Sequence, residues 1–225
     1  MLAQIVLFDG FDPLDVVAPF EVLGAGGVVT GGALEVELAA AEGPCEVPSG
    51  LGMLSLRATA RLAPQRADLI VVPGAAGRLL DEHPDEPAAE AAEVSVPAIL
   101  GRTLDTGLPV LLKEALDRPG LTVATVCGGS MVLAMAGLIE GRPVTTHHLG
   151  LYQLKAAGAI PVRARVVDDG DLVTGAGVTS GLDLGLYLLE RELGPRVALA
   201  VERLIAHERR GTVWRHSGTV PAVGI

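Results

Sequence analysis

The sequence predicts an α/β fold with a buried central sheet. Three runs have the continuous Val, Ile, Leu and Thr composition of strands that are covered on both faces: Ile5–Phe8, Asp68–Val72 and Leu121–Val126. Each run ends at a turn that contains glycine, which is typical of the points where strands lead into helices. Because 49% of the 225 residues are hydrophobic, the chain can form one domain with a sizeable core.

The first predicted strand leads into a helical segment that carries an acid, Asp15. One interpretation of Asp15 is structural, because carboxylates stabilise the N-termini of helices. The other is functional, because Asp15 follows the carboxyl end of a strand, where open α/β sheets place their binding sites. Glu21 lies further along the same segment, and we expect it to face solvent.

Shorter patterns fill the rest of the first half. Leu34–Ala40 alternates like an edge or half-buried strand, and Ser49–Leu56 predicts a short strand or hairpin. Cys45 lies between them in a predicted loop with no chemical role. Asp81–Glu93 has the composition of a solvated loop and helix start, within an extended segment at about 78–120.

The second half predicts a hairpin followed by two helices. Val162–Val167 and Leu172–Gly177 are strands joined by turn-forming residues. Ser180 and Asp183 have the spacing of a capping box at the start of the next helix. A last helix from Pro195 to about Arg209 precedes a tail that lacks apolar periodicity from about residue 211.

Cys127 is the main candidate for chemistry. It lies between a buried strand and an apolar helix, followed by Gly128 and Gly129, so it occupies a sharp strand-to-helix turn. The positive end of that helix is expected to lower the thiol pKa and favour the nucleophilic thiolate. The structural alternative is a small buried hydrophobic residue, as most free cysteines are.

Two further segments could complete a site. The turn Pro73–Gly77 follows a predicted strand, and its backbone N–H groups could face a developing oxyanion, although such turns also serve only to reverse the chain. His147 and His148 follow a short strand, and either could reach the Cys127 sulfur. For His147 a base and a structural partner remain equal alternatives, whereas His148 would cap the helix after it.

Composition narrows the function classes. The net charge of −10, the pI of about 4.9 and the lack of Lys or Arg runs disfavour nucleic acid and anionic membranes as partners. A small neutral or cationic ligand is easier to accommodate. No apolar run approaches the ~20 residues of a membrane helix, and no signal peptide is evident, so we expect a cytoplasmic protein. Two cysteines fit a reducing compartment, and no metal-binding spacing is present, so no metal or other cofactor is expected.

Five motifs in order resemble the ThiJ/PfpI (DJ-one) superfamily of class I glutamine amidotransferase-like folds, most closely its isonitrile hydratase branch. The matching stretches are Leu14–Val22, Val71–Gly74, Val126–Ser130, Gly141–His147 and Asp169–Gly181. This resemblance implies a doubly wound, mostly parallel flavodoxin-like sheet with helices on both faces, a nucleophile elbow, and a homodimer made of single domains that span residues 1–225.

The resemblance also implies roles for individual residues. Cys127 corresponds to the nucleophile and Asp15 to the acid beside it. The remaining candidate site residues are backbone donors and supporting side chains: Gly74, Ala75 and Gly128 as donors, His147 and Thr179 as support. Two features depart from the hydratase pattern. Gly128 follows the cysteine where hydratases carry threonine, and the stretch between Gly77 and Leu121 is longer.

The function that this resemblance implies is hydration of isonitriles to N-substituted formamides, a lyase reaction without a cofactor. Cys127 would attack the isonitrile carbon, and Asp15 would transfer protons. Because an acid beside a thiolate is electrostatically unfavourable, we expect the pair to retain or share a proton. The alternatives are a redox-responsive protein with an oxidisable Cys127 and a glyoxalase-like enzyme that uses His147 as its base. A transcription regulator is disfavoured because no DNA-binding segment accompanies the predicted fold.

Overall fold

The computed structural model describes residues 1–78 and 94–219. The strands in these ranges are β1 (Leu2–Val6), β2 (Glu35–Ala40), β3 (Cys45–Pro48), β4 (Ser55–Ala58), β5 (Ala60–Arg61), β6 (Leu69–Val72), β7 (Thr122–Thr125), β8 (Pro143–Val144), β9 (Ile160–Pro161), β10 (Val166–Asp168), β11 (Leu172–Gly175) and β12 (Trp214–Arg215). Eight of them form a sheet in the order β12-β10-β11-β7-β6-β1-β2-β5. All neighbouring strands of this sheet are parallel except β10 and β11.

Helices cover the sheet. They are α1 (Pro13–Val29), α2 (Val96–Arg102), α3 (Leu108–Asp117), α4 (Gly129–Met135), α5 (Leu151–Ala156), α6 (Ser180–Leu193) and α7 (Pro195–Ile205). Helices α1, α6 and α7 pack against one another, and α2, α4 and α5 form a second group around α4. The predicted α/β fold with a mostly parallel sheet is therefore confirmed. Within the described ranges, no helix is both long and apolar enough to cross a membrane.

The sheet centre positions the candidate site. Strands β1, β6 and β7 are adjacent and parallel, with Ile5 opposite Val71 and Val71 opposite Ala124. Every residue of β6 and β7 is buried, which explains their continuous apolar composition. Because parallel strands end at the same edge of a sheet, the loops that follow these three strands meet there.

The hairpin in the first half differs from its prediction. Its strands are β3 and β4, so the predicted strand at Ser49–Leu56 is mostly the turn between them. Cys45, expected in a loop, begins β3 and pairs with Ala58. The polar sequence around Cys45 hid this strand, because a hairpin that flanks the main sheet does not need a fully apolar pattern.

The predicted capping box is not formed. The Thr179 side chain makes no capping bond at the start of α6, and Ser180 Oγ is buried without a partner in the described ranges. Asp183 instead accepts hydrogen bonds from Arg165 Nε at 2.5 Å and from the Arg210 backbone N–H at 2.7 Å. A buried carboxylate is satisfied better by a guanidinium than by one backbone donor, so tertiary contacts override the local motif.

The tail also departs from its prediction. Trp214 and Arg215, in the part expected to be irregular, form β12 and pair with β10 at the sheet edge. Arg215 Nη2 donates to the Tyr187 hydroxyl at 2.6 Å, which fastens this strand to α6. Burial and a hydrogen bond to Asp168 raise the pKa of Tyr187 to about 12. The loop and helix start predicted at Asp81–Glu93 lie outside the described residues.

Candidate active site

Cys127 occupies a strained strand-to-helix turn. Its backbone has φ of +52°, a left-handed conformation that non-glycine residues rarely adopt. The turn is held at both sides, because the Cys127 N–H donates to Gly175 O at 3.1 Å and Thr146 Oγ1 donates to Cys127 O at 2.7 Å. The next turn lies against β6, where a Cβ on Gly129 would come within 2.1 Å of Val72 O. The predicted elbow is therefore present.

Asp15 lies in the first turn of α1 and is fully buried. Its Oδ2 accepts a hydrogen bond from the Gly74 N–H at 2.8 Å, and its Oδ1 has no hydrogen-bond partner in the described ranges. The cap of α1 is Asp12, whose Oδ1 accepts from the Leu14 N–H at 2.9 Å. Asp15 is therefore not the cap of α1, although it lies in the first turn, where the structural interpretation placed a stabilising carboxylate.

The turn after β6 lies against the connection between β1 and α1. The Asp12 N–H donates to Gly74 O at 2.9 Å, and the Ala76 N–H donates to Gly10 O at 3.1 Å. Gly74 is required here, because a Cβ on it would lie 2.5 Å from Gly128 N and 2.8 Å from Asp15 Oδ2. The expectation that Gly74 offers a free N–H to an oxyanion is corrected, since that N–H is bound to Asp15.

Cys127 and Asp15 interact electrostatically. Burial is the main cause that raises the pKa of the Cys127 thiol, and the charge of Asp15 raises it further, while a hydrogen bond from the Gly128 N–H opposes them. Burial likewise raises the Asp15 pKa well above its ordinary value, and the charge of Asp12 adds to this. The predicted lowering of the thiol pKa by helix α4 is wrong, because burial and a neighbouring acid outweigh the short helix. The pair accordingly resists the state in which both groups are ionised.

A cavity of about 520 Å³ opens onto Cys127. Its walls come from both ends of α4, from α2 and from the turns after β6 and β3. The lining side chains are mostly apolar and include Leu51, Val96, Leu100, Met131, Met135, Leu149 and Val178. The backbones of Ala75 and Gly128 also border it. This arrangement can hold a small molecule with an apolar substituent against the sulfur.

His147 and Thr179 have different positions. His147 lines the cavity, and its Nδ1 accepts from the Leu149 N–H at 3.4 Å, so it caps the short 3₁₀ turn that His148 begins. The cap is thus His147 rather than His148. Burial and the charge of His148 lower the His147 pKa. Thr179 is exposed, and its carbonyl and hydroxyl accept hydrogen bonds from Arg165, so the structure does not bring it to Cys127.

Several residues that line the cavity were not singled out in the sequence, among them Asp12, Met131, Met135 and Gln153. Asp12 could have been found, because an acid directly before Pro13 matches a helix cap followed by proline in the first turn. Met131, Met135 and Gln153 carry no such signal, because only the tertiary packing of α4 and α5 turns them towards the sulfur. Across the described ranges, no group of three or more His, Cys, Asp or Glu side chains is placed to bind a metal ion.

Comparison with known proteins identifies the family of this chain. The model of the DJ-1/PfpI family matches residues 103–191, the part that contains the elbow. An uncharacterized protein of Streptomyces lividans is 34% identical over 143 residues, which cover 64% of this chain and 84% of that protein. The chain belongs to the DJ-1/PfpI family. A ThiJ/PfpI family protein from Pseudomonas syringae superposes with a TM-score of 0.70 at 24% identity, over 93% of this chain and 76% of the other.

Relatives within the family have different functions. Isonitrile hydratase of Pseudomonas putida is 46% identical over 80 residues, which cover 36% of this chain and 35% of the hydratase. The HTH-type transcriptional regulator CdhR of Pseudomonas aeruginosa is 36% identical over 88 residues, which cover 38% of this chain and 26% of the regulator. The matches thus span about a quarter to a third of these two relatives. The family therefore includes both an enzyme and a regulator, and its fold alone does not assign an activity.

Proposed function

We propose that this protein is a cysteine-dependent hydratase that converts isonitriles to N-substituted formamides. The observation that carries the proposal is that Cys127 lines an apolar cavity and interacts with the buried carboxyl of Asp15. The pair supplies a nucleophile and a proton carrier, which are the two functions that the reaction requires. The partial identity with an isonitrile hydratase supports the choice among family activities.

The first step forms a bond between sulfur and carbon. The proton of the Cys127 thiol passes to Asp15, which moves the negative charge to sulfur without creating a second charge. The sulfur then attacks the terminal carbon of the isonitrile, and Asp15 returns the proton to that carbon. The product is a thioimidate in which Cys127 is bonded to a CH=N–R group, and Asp15 is again a carboxylate.

The second step consumes water. Asp15 takes a proton from a water molecule as the oxygen attacks the thioimidate carbon, and it then passes that proton to the imidate nitrogen, while the second water proton stays on the oxygen until the carbon–sulfur bond breaks. Cleavage of the carbon–sulfur bond releases the formamide R–NH–CHO, and the sulfur regains its proton. The overall reaction adds one water to one isonitrile, with no oxidant or reductant. The N–H groups of Ala75 and Gly128 remain candidate donors for the oxygen of this intermediate.

The cavity supports a substrate with an apolar substituent. Met131 and Met135 lie one helical turn apart on α4 and contribute flexible thioether side chains to one wall. Leu100 and Leu149 contribute further apolar surface. An isonitrile carries little polar surface beyond its reacting carbon, so these side chains match an alkyl or aryl group R.

A homodimer is the assembly that we propose. Leu14, Val17 and Phe20 on α1 are each 39–43% exposed, although α1 packs its other side on α6 and α7. Because α1 is apolar on both sides, burying its exposed side against a second copy of the chain is more favourable than leaving it in water. Asp15 lies between the first two of these residues in the sequence and is already fully buried, so the interface would pack against the helix that carries the candidate acid.

A second candidate function is glyoxalase-like chemistry on reactive aldehydes. The observation that favours it is His147, which lines the same cavity as Cys127 and has a lowered pKa, so its imidazole is neutral and can accept a proton. This alternative predicts lactate formation from methylglyoxal. It also predicts that His147→Gln abolishes turnover, whereas the hydratase mechanism tolerates that change.

Turnover of a small alkyl isonitrile tests the proposal. We expect purified wild-type protein to form the corresponding formamide, and Cys127→Ala to lose at least ~10³ of the rate, since the covalent route disappears. Cys45→Ala is the matched control, because Cys45 lies in β3 and does not line the cavity. Full activity of Cys127→Ala, or no formamide from the wild type, would overturn the hydratase assignment.

A further inference from the structure

The cavity contains a second acid that the proposed reaction does not use. Asp12 lines the cavity together with Cys127, and its side chain is partly buried. Two contacts fix it there, because its N–H donates to Gly74 O at 2.9 Å and its Oδ1 accepts from the Leu14 N–H at 2.9 Å. Its carboxylate therefore has a defined position at the cavity wall.

The charge of Asp12 reaches the reacting groups. It raises the pKa of Asp15 and also that of Cys127, so negative charge near either group is less favourable than it would be without Asp12. The described residues that line the cavity include no Lys or Arg, and His147 is held towards its neutral form. An anionic ligand would therefore meet a carboxylate with no described cation in the lining to offset it.

We propose that Asp12 is a specificity-determining residue that excludes anionic ligands from Cys127 and restricts the site to neutral ones. This inference deepens the proposed function and rests on it for the identity of the substrate. It selects neutral isonitriles over isonitriles that carry a free carboxylate.

The alternative is that Asp12 serves only as a helix cap. Asn caps helices about as well as Asp and carries no charge, so Asp12→Asn separates the two roles. Asp9→Asn is the matched control, because Asp9 lies on the same connection and is exposed, and it does not line the cavity. Both substitutions remove one negative charge from the protein.

Alkylation of Cys127 measures the charge preference without requiring hydratase activity. The Cys127 thiolate displaces iodide ion from the CH₂ carbon of either iodoacetamide or iodoacetate and forms an S–CH₂ bond in both cases, but only iodoacetate is anionic. The ratio of their rate constants, followed by mass spectrometry of the Cys127 peptide, is insensitive to the fraction of thiolate. This matters because Asp12→Asn changes the Cys127 pKa as well as the charge at the cavity wall.

We expect the wild-type ratio of iodoacetamide to iodoacetate rates to exceed that of 2-mercaptoethanol. Asp12→Asn should lower the ratio about fivefold, the size expected for one partly screened charge at close range. Asp9→Asn should leave it within twofold of the wild-type value. An unchanged ratio in Asp12→Asn, or an equal fall in Asp9→Asn, would overturn the proposal. If Asp12→Asn fails to fold, Asp12→Ser provides the same cap without the charge.

A second readout concerns the substrate. If the wild type hydrates isonitriles, kcat/KM for a methyl isocyanoalkanoate should exceed that for the free carboxylate, and Asp12→Asn should narrow this difference about fivefold. If the wild type and Asp12→Asn prefer the ester over the free carboxylate by the same factor in kcat/KM, the proposed role of Asp12 is contradicted. Failure of all isonitrile turnover would refute the proposed function but leave the alkylation ratio to decide the role of Asp12.

Discussion

At the scale of single residues, the proposed mechanism depends on one proton that the buried residues Cys127 and Asp15 share. Burial is the main cause that raises the pKa of both groups; the charge of Asp15 raises the Cys127 pKa further, whereas a hydrogen bond from Cys127 lowers the Asp15 pKa. A thiol with a raised pKa is a weak nucleophile when it acts alone. In the proposed mechanism Asp15 accepts the thiol proton, so the acid would help to activate the sulfur and would also be the proton source for carbon.

The buried acid should reduce stability at neutral pH. Folding raises the Asp15 pKa, so the folded state binds the proton more tightly than the unfolded state does, and stability falls as pH rises through the folded pKa. Asp15→Asn should therefore raise Tm by about 2–4 °C at pH 8. It should raise Tm little at pH 4, near the ordinary aspartate pKa. Thermal unfolding at both pH values measures this, with Asp9→Asn as the control. A lower Tm for Asp15→Asn at pH 8 would contradict the account.

The same substitution should separate thiol reactivity from catalysis. Asp15→Asn removes the charge that raises the Cys127 pKa, so iodoacetamide should alkylate Cys127 about tenfold faster at pH 7.5 than in the wild type. The rate-against-pH profile should move to lower pH. Formamide production should nevertheless fall by at least ~10², because the carbon loses its proton donor. Parallel changes in both rates would show that Asp15 does not transfer a proton.

At the scale of elements, the site is assembled from three turns at the carboxyl ends of β1, β6 and β7. The turn after β6 lies between the other two, where Gly74 separates the Asp15 carboxyl from the Gly128 backbone. The close approach of these backbones therefore requires a residue without a side chain at position 74. Gly74 and Gly128 lie against each other, so substituting each by alanine compares how much space the two positions have.

Gly74→Ala should lower Tm much more than Gly128→Ala. A Cβ on Gly74 would lie 2.5 Å from Gly128 N, which forces two backbones apart, and we expect a cost of about 2 kcal/mol or more and a fall in Tm of ~5 °C. A Cβ on Gly128 would lie 3.3 Å from Gly74 Cα and 3.4 Å from Leu100 Cδ1. Its φ of −69° suits any residue, so Tm should change by less than ~2 °C. Equal effects in the two variants would contradict the described packing.

The limits of sequence reasoning are visible in these elements. The buried strands could be predicted because continuous apolar runs indicate strands that are covered on both faces. The strand-to-helix turn at Cys127 could be predicted because glycines follow a strand at that point. The bond between Gly74 N–H and Asp15 could not, since it joins residues 59 positions apart. The capping box failed for a similar reason, because Asp183 binds Arg165 and Arg210 instead of the helix start.

At the scale of the whole molecule, one hydrophobic core extends across the described sheet and its helices. This supports the proposal that the chain is a single domain. The exposed apolar residues Leu14, Val17 and Phe20 lie on α1, the helix that carries Asp15. Assembly and activity should therefore be linked.

Substitution on α1 tests the assembly. Phe20→Glu places a charge in the proposed interface, and we expect the mass from light scattering to fall from that of a dimer to that of a monomer at micromolar concentration. Val110→Glu is the control, because Val110 is 63% exposed on α3 and the change in charge is the same. A monomeric wild type, or a dimer that survives Phe20→Glu unchanged, would contradict the proposed interface.

The central claim is that the isonitrile carbon becomes bonded to the Cys127 sulfur, and rapid quenching with mass spectrometry tests it most directly. Wild-type protein mixed with excess isonitrile should carry, during turnover, an adduct on the Cys127 peptide whose mass equals that of the isonitrile. The adduct should disappear when the substrate is exhausted, and the Cys45 peptide should remain unmodified throughout. Steady formamide production by the wild-type protein without any adduct on the Cys127 peptide would contradict the account. Formamide production by Cys127→Ala at the wild-type rate would contradict it as well.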